Sequence, residues 1–275
     1  MIAKRLTILI VFIILTLLTQ VGGLLLVLTL LLHCIIAKRY KRVNFIGAKT
    51  LLFILIYFTF TFVLIPPIAK HFGRVPLPFG FNKGNLKPQN PFTFLLNRHY
   101  VTKDLHATIT TACKIWEGQH KGETIHYLDA NFPFINGFPL IPHLSHDDGK
   151  KLDFAFLYYD TLHKKPSNST PSYFGYGVYA EPEEGEINTT IKCETSGYWQ
   201  YGLLGKILPR KKNTNLILDE ARTRAFLLIL SKEATISKIF IEPYLKTRLD
   251  LRHINKIRFH GCQAVRHDDH IHIQQ

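Results

Sequence analysis

Two apolar stretches at the start of the chain constrain it more than anything that follows. Leu6 to Ala37 is almost unbroken, interrupted only by His33, Cys34 and the weakly polar run Thr19-Gln20-Val21-Gly22-Gly23. Leu51 to Ile68 is the second, with Pro66-Pro67 near its end. Each reaches the ~18 apolar residues that mark a membrane span. Because ~30 Å of hydrocarbon needs only about 20 helical residues, the first stretch is expected as one tilted or projecting helix and the second as another. Lys4-Arg5 would suit a signal peptide, but no small-residue cleavage site ends a short apolar core, and a second span follows. The expected organisation is a two-helix anchor over residues 1–75, a linker over 76–100 and a soluble domain over 101–275.

Charge is distributed to match. No acidic residue precedes Asp104, whereas nine of the 34 Lys and Arg lie at or before Arg74. The formal net charge of +14 is therefore largely juxtamembrane. No basic helix or basic–aromatic series runs along the chain, so no nucleic-acid partner is expected. Lys38, Arg39, Lys41, Arg42 and Lys49 lie between the apolar stretches, against Lys4 and Arg5 before them and Lys70 and Arg74 after them. The positive-inside tendency puts the five-charge loop in the cytoplasm and both termini outside. The soluble domain is then expected to face the periplasm or cell exterior from the inner (cell) membrane. That compartment permits one disulfide among Cys113, Cys193 and Cys262, without the sequence choosing the pair.

After the Pro- and Gly-rich Pro76–Pro91, helical character is expected over Thr102–Gly118 and a strand over Thr124–Ala130. An irregular loop, 132–142, delivers the chain to His146. Leu152–Tyr159 is strand-like, and residues 163–197 form an excursion, either a surface loop or a substrate-facing flap. Asp219-Glu220 caps a helix to about Lys232 with Ala221, Ala225, Leu228 and Leu227 inward. Ile236–Glu242 is a strand, a short helix spans about Tyr244–Ile254, and Lys256–Phe259 leads to a last strand. The soluble part is α+β.

That last strand carries His267-Asp268-Asp269-His270-Ile271-His272-Ile273. If Ile271 and Ile273 enter a core, His270 and His272 share the opposite face. Paired imidazoles on a strand suit zinc, which takes N and O donors in tetrahedral geometry. The best source of further ligands is Ser145-His146-Asp147-Asp148-Gly149-Lys150-Lys151-Leu152-Asp153, where Gly149 permits the sharp turn that brings His146 and Asp153 together. His146, Asp153 and His272 would leave a fourth position open, as catalytic zinc sites do, and amide hydrolysis is the chemistry such a site suits. An HExxH helix is absent, which excludes the thermolysin-like plan. His99, His106, His120 and His126 read as ordinary surface or core residues.

The stretch His143–Asp153 resembles the first motif of the lysostaphin/D-Ala-D-Ala carboxypeptidase/sonic hedgehog group of zinc metallopeptidases: a Ser-His pair, a Gly, and an Asp seven residues after the His. His270-Ile271-His272 is similar to the group's second motif, His-x-His. Within the group, His143-x-x-His146, His267 and Ile239–Lys246 look most like the penicillin-insensitive murein endopeptidases. The likeness covers roughly residues 125–160 and 219–274. It implies a small antiparallel sheet flanked by helices and holding a Zn2+ site, with the two membrane helices in front of it. It also implies a hydrolase acting on D-amino-acid-containing peptide bonds of peptidoglycan stem peptides. His143 would be a supporting residue or a ligand for an additional ion. The carboxypeptidase branch carries an acid where Asp269 stands, and the endopeptidases carry histidines where His267 and His270 stand. Asp269 is accordingly expected as general base, with His270 stabilising the oxyanion and His267 assisting. The alternatives are a D,D-carboxypeptidase, a non-catalytic zinc-binding module of the cell envelope, and a metal-handling membrane protein.

Overall fold

The structure is a computed structural model that describes residues 2–40, 46–80, 85–203 and 215–275. Lys41 and Arg42 of the basic loop, and residues 81–84 of the expected linker, lie outside the described residues.

The first apolar stretch forms two helices, not one: α1 (Ile2–Thr19) and α2 (Gly22–Arg39). The chain reverses at Gln20, which adopts a positive φ of 66°, and the Thr19 hydroxyl accepts from the Gly22 amide at 2.8 Å. Gly23 lets the helices close, because a Cβ there would lie 2.0 Å from the Thr16 hydroxyl. A third helix, α3 (Ile46–Thr59), runs through a π-helical turn at Phe60–Leu64 into α4 (Ile65–His71). The wider turn stands just before Pro66 and Pro67, which cannot donate to an α-helical ladder. Three N-terminal helices are thus long and apolar enough to cross a membrane, where two were expected. A turn of one polar residue and two glycines carries too little polarity to register as a break in an apolar run.

The remaining elements, in chain order, are β1 (Arg74–Pro76), β2 (Leu86–Pro88), α5 (Phe92–Leu95), β3 (Tyr100–Thr102), α6 (Lys103–Gln119), β4 (Ile125–Tyr127), β5 (Lys151–Ala155), β6 (Tyr158–Asp160) and β7 (Lys165–Ser167). These are followed by α7 (Thr189–Thr195), β8 (Leu216–Leu218), α8 (Glu220–Lys232), β9 (Lys238–Phe240), α9 (Pro243–Arg248), β10 (Ile257–Arg258) and β11 (His270–Gln274). A six-stranded sheet in the order β10-β9-β11-β5-β4-β2 forms the centre. It is mixed, not purely antiparallel as expected, because β10 runs parallel to β9 and β2 parallel to β4. The β7-β6-β8 sheet and the β1-β3 pair complete the strands among the described residues.

The stretch expected as a linker is built into the domain. β1 pairs with β3 and β2 with β4, and Leu77 and Leu86 are buried. Prolines at the ends of three-residue edge strands are tolerated because an edge position needs no ladder donor there. On one sheet face, α6 and α8 cover Leu152, Phe154, Ile271 and Ile273, with Phe226 edge-on to both Trp116 and Phe154. The Thr102 hydroxyl caps α6, and the Asp219 carboxylate caps α8 through the Arg222 amide at 3.0 Å. The inward face of α8 is Thr223, Phe226, Leu227 and Leu230; Ala221, expected inward, is exposed.

The anchor and the domain touch at defined points. The Gln20 side-chain oxygen accepts from the Phe134 amide at 2.9 Å, and the Tyr57 hydroxyl donates to the Leu95 carbonyl at 2.5 Å. Val21, Leu25, Tyr57, Ile65, Ala69 and Tyr100 form a second apolar cluster between the two parts.

Cys193 and Cys262 are joined in a disulfide, whereas Cys113 is buried and unpaired in α6. Peptide mapping without reductant is expected to recover the Cys193 and Cys262 peptides as one mass. Burial pushes the Cys113 thiol up to about 12, so it should alkylate only after unfolding. Free Cys193 in native, unreduced protein would contradict the pairing.

Candidate metal centre

β11 lies between β5 and β9, and its register sets His272 directly opposite Asp153 and His270 opposite Ala155. Alternation then sends Ile271 and Ile273 into the core, as the sequence parity predicts, and His270 and His272 to the other face with Asp153. His146 reaches the same place from the loop before β5. There Gly149 has φ of +81°, and a Cβ would lie 1.1 Å from an Arg74 guanidinium nitrogen. Arg74 is itself held by Asn136, and the Gly149 amide donates to the Asn131 side chain at 3.0 Å.

The three expected ligands converge and are buried. His272 Nδ1 lies 2.8 Å from Asp153 Oδ1 and 3.1 Å from His146 Nε2, and His146 Nε2 lies 3.3 Å from Asp153 Oδ1. Donors around a tetrahedral ion at ~2.0–2.2 Å stand roughly 3.3 Å apart, so these spacings need to open by only a few tenths of an ångström. The hydrogen bond at His146 also presents the right atom. His146 Nδ1 points to the Ala130 carbonyl at 2.7 Å, which fixes its proton there and leaves Nε2 with a lone pair. The Gln274 side-chain nitrogen Nε2 donates to His272 Nε2 at 3.1 Å, so the His272 proton sits on Nδ1, toward Asp153 Oδ1. Nδ1 becomes a metal donor only once that proton is displaced. This buried group of His and Asp side chains could hold a metal ion.

Charge supports that. Burial favours a neutral Asp153, but His146, His270 and His272 outweigh it and hold the carboxyl well below its usual range. Burial takes His272 down to about 3 despite Asp153 beside it. A carboxylate and a neutral imidazole are the protonation states a metal requires. His146 is shifted the other way: burial favours its neutral form, but Asp153 and Asp129 outweigh burial and raise its pKa, so an ion would have to displace its proton.

His143, expected as a supporting residue or additional ligand, lies 3.1 Å from Asp129 Oδ2 and 3.5 Å from Asp153 Oδ2 through Nδ1. It belongs to a second cluster with Asp153 and His270. Asp269 precedes β11 at a bend, and both its oxygens are engaged: Oδ1 with His270 Nδ1 at 2.5 Å and Oδ2 with the Gly177 amide at 2.6 Å. His270 Nε2 is buried without a hydrogen-bond partner, 3.8 Å from Asp153 Oδ2. Burial disfavours its cation, yet Asp153 and Asp269 carry its pKa up to about 9. His267 packs its ring 5.0 Å from that of His270, and burial keeps it well below the ordinary range.

Several participants were invisible in the sequence. Tyr176, from the 163–197 excursion, donates to Asp153 Oδ2 at 2.8 Å and accepts from the Asp129 amide at 3.1 Å. The excursion is thus a flap over the cluster. Asp129 is paired with Arg98 at 3.2 Å. Behind His267, Glu242 accepts from its amide and from the Tyr201 hydroxyl, and Asp268 is held by Arg266 and Tyr244. Only the spacing of acids and aromatics within each segment was available beforehand, and that does not say which segments meet. His99 and His120 stack on Phe94 and Trp116, as ordinary packing histidines do.

No family model matches the chain, and no curated protein matches it.

Gly149→Ala is expected to lower stability by at least about 1–2 kcal/mol, from the left-handed backbone alone, with Arg74 displaced in addition. Thermal unfolding of the metal-free protein measures this. An unchanged midpoint would show that the turn before Asp153 tolerates a side chain.

Proposed function

We propose that the protein is a membrane-anchored zinc metallopeptidase that hydrolyses D-amino-acid-containing peptide bonds of peptidoglycan stem peptides from the outer side of the cell membrane. The observation that carries this is the convergence of His146 Nε2, Asp153 Oδ1 and His272 Nδ1 from two segments whose motifs resemble those of such peptidases. His146, Asp153 and His272 would hold the ion, which supplies Lewis acidity and a lowered pKa for water. The protein's own groups do the rest. With both Asp269 oxygens bonded, proton transfer passes to His270, whose free Nε2 faces the cluster, and Asp269 orients that ring. His143, steadied by Asp129, lines the cavity beside the cluster.

The purified full chain is expected to carry about one zinc, as single-ion catalytic sites do. Asp153→Ala should lose it, and full activity in a metal-free preparation would sink the assignment. His270→Gln should keep the metal yet lose about 10²–10⁴-fold in turnover, the usual worth of acid–base catalysis. Near-normal turnover in that variant, with Asp269→Asn inactive, would return the base to Asp269.

A second reading, a metal-binding module without turnover, draws support from the burial of all three donors beneath Tyr176. Mass spectrometry of muropeptides released from murein sacculi, with and without chelator, separates the two.

Three crossings change the topology expected from two. Lys4, Arg5 and the basic residues from Lys38 to Lys49 then share one side, against Lys70 and Arg74 at the domain end. The domain therefore faces outward with the N-terminus inside, in better accord with the positive-inside tendency. A reporter active only outside the cytoplasm should work after Gln275 and be silent both at the N-terminus and near Asn44. Activity at the N-terminus would return α1 and α2 to a single crossing.

A further inference from the structure

Beside the metal cluster lies a cavity of about 510 Å³, within the range of small-molecule sites. Its walls are largely apolar, among them Phe92, Leu96, Leu128, Phe174 and Val265. Its polar end carries His143, Asp269 and His270, with Arg98 beside them. Two buried polar atoms of these lining residues have no hydrogen-bond partner, His270 Nε2 and Arg98 Nε. A polar ligand group at that end would satisfy both, whereas the apolar length of the cavity has no use for a hydrophilic peptide.

One wall of the cavity, α5, is tied to the anchor. Phe92, Tyr173 and Phe174 are 44%, 59% and 51% exposed and form one aromatic group, with ring centroids 5.3–6.4 Å apart. Phe92 opens α5, whose Leu95 carbonyl is bound by the Tyr57 hydroxyl of α3. Tyr57 clusters with Val21, which places α5 at the height where α1 turns into α2. The outer face of α3 continues past it through exposed Phe58 and Phe62, and Phe62 stacks against Phe94 of α5. No charge interrupts this helix between Lys49 and Lys70. Aromatic side chains at that height are where a bilayer interface places them.

We infer that the cavity receives a hydrocarbon chain from the outer leaflet of the bilayer, so that the site acts on a lipid-bearing substrate whose polar part reaches His270 and Arg98. The chain enters past the rim formed by Phe92 and Phe174 and lies along Leu96 and Leu128. An acylated peptide gains that apolar lining as a contact, which a free peptide lacks. The substrate class rests on the peptidase reading; the occupant of the cavity does not.

The test uses the full chain in phospholipid nanodiscs containing phosphatidylglycerol with a diazirine in its acyl chain. Photolabelling is expected at 92–96 and 172–176 as well as on the three helices. Leu96→Trp, which fills the cavity, and Phe174→Ser, which opens its exposed rim, should each lower the labelling at 172–176 and leave the helices unchanged. Labelling confined to the helices, or unaffected by both variants, would overturn the inference. In parallel, a peptide ending in D-Ala-D-Ala should be cleaved with kcat/KM about tenfold or more higher when it carries a palmitoyl chain, a gap of ~1.4 kcal/mol or more. Phe174→Ser should narrow that ratio without altering cleavage of the free peptide. Cavity labelling with neither peptide cleaved would remove the peptidase and keep the lipid site. Equal cleavage of both, without cavity labelling, would do the reverse.

Discussion

Everything at the candidate centre depends on the pairing of β11 with β5. These two strands supply two of the three donors, and antiparallel register sets His272 opposite Asp153 in the middle of a six-stranded sheet. Because side chains alternate, a slip of one residue would send His270 and His272 into the apolar core and bring Ile271 and Ile273 to the donor face. The core contacts of those isoleucines with α6 and α8 therefore act at a distance on the His/Asp cluster. They fix a register that hydrogen bonds alone would leave free to shift.

Burial of so many titratable groups is tolerable only because they are partnered. Asp129 is shared by Arg98 and His143, Asp153 by four histidines and Tyr176, and Asp269 by His270 and a backbone amide. Each carboxylate would otherwise face a desolvation cost of several kcal/mol. The exceptions are informative, since a buried polar atom without a partner is uncommon. His270 Nε2 and Arg98 Nε are two such atoms, and both residues line the cavity beside the cluster.

How much of this could be read from the sequence follows from how local each feature is. The His270/His272 parity, the Asp219 cap and the role of Gly149 are short-range patterns, and each appears where it was expected. The strand expected over Leu152–Tyr159 is split, because residues 156 and 157 leave the central sheet before β6 joins a second one. The helical hairpin escaped notice since its turn carries almost no polarity, and a span is recognised by apolar length alone. The linker was misread because Pro and Gly punctuate short edge strands as readily as tethers. Tyr176, Asp129 and Arg98 come from separate segments, and nothing in their local spacing announces that they meet at Asp153.

The Cys193–Cys262 bridge joins α7 of the flap segment to the loop that leads into His267, across 69 residues of chain. A loop of that length, closed covalently, withdraws about 4 kcal/mol of conformational freedom from the unfolded ensemble in the chain-entropy account. That is a large part of the 5–15 kcal/mol by which folded proteins usually outweigh their unfolded states. The domain is consequently a poorer fold in a reducing compartment than in an oxidising one, with its flap least secured where thiols stay reduced. Closing the bridge and becoming fully stable are, for this chain, two halves of a single maturation step.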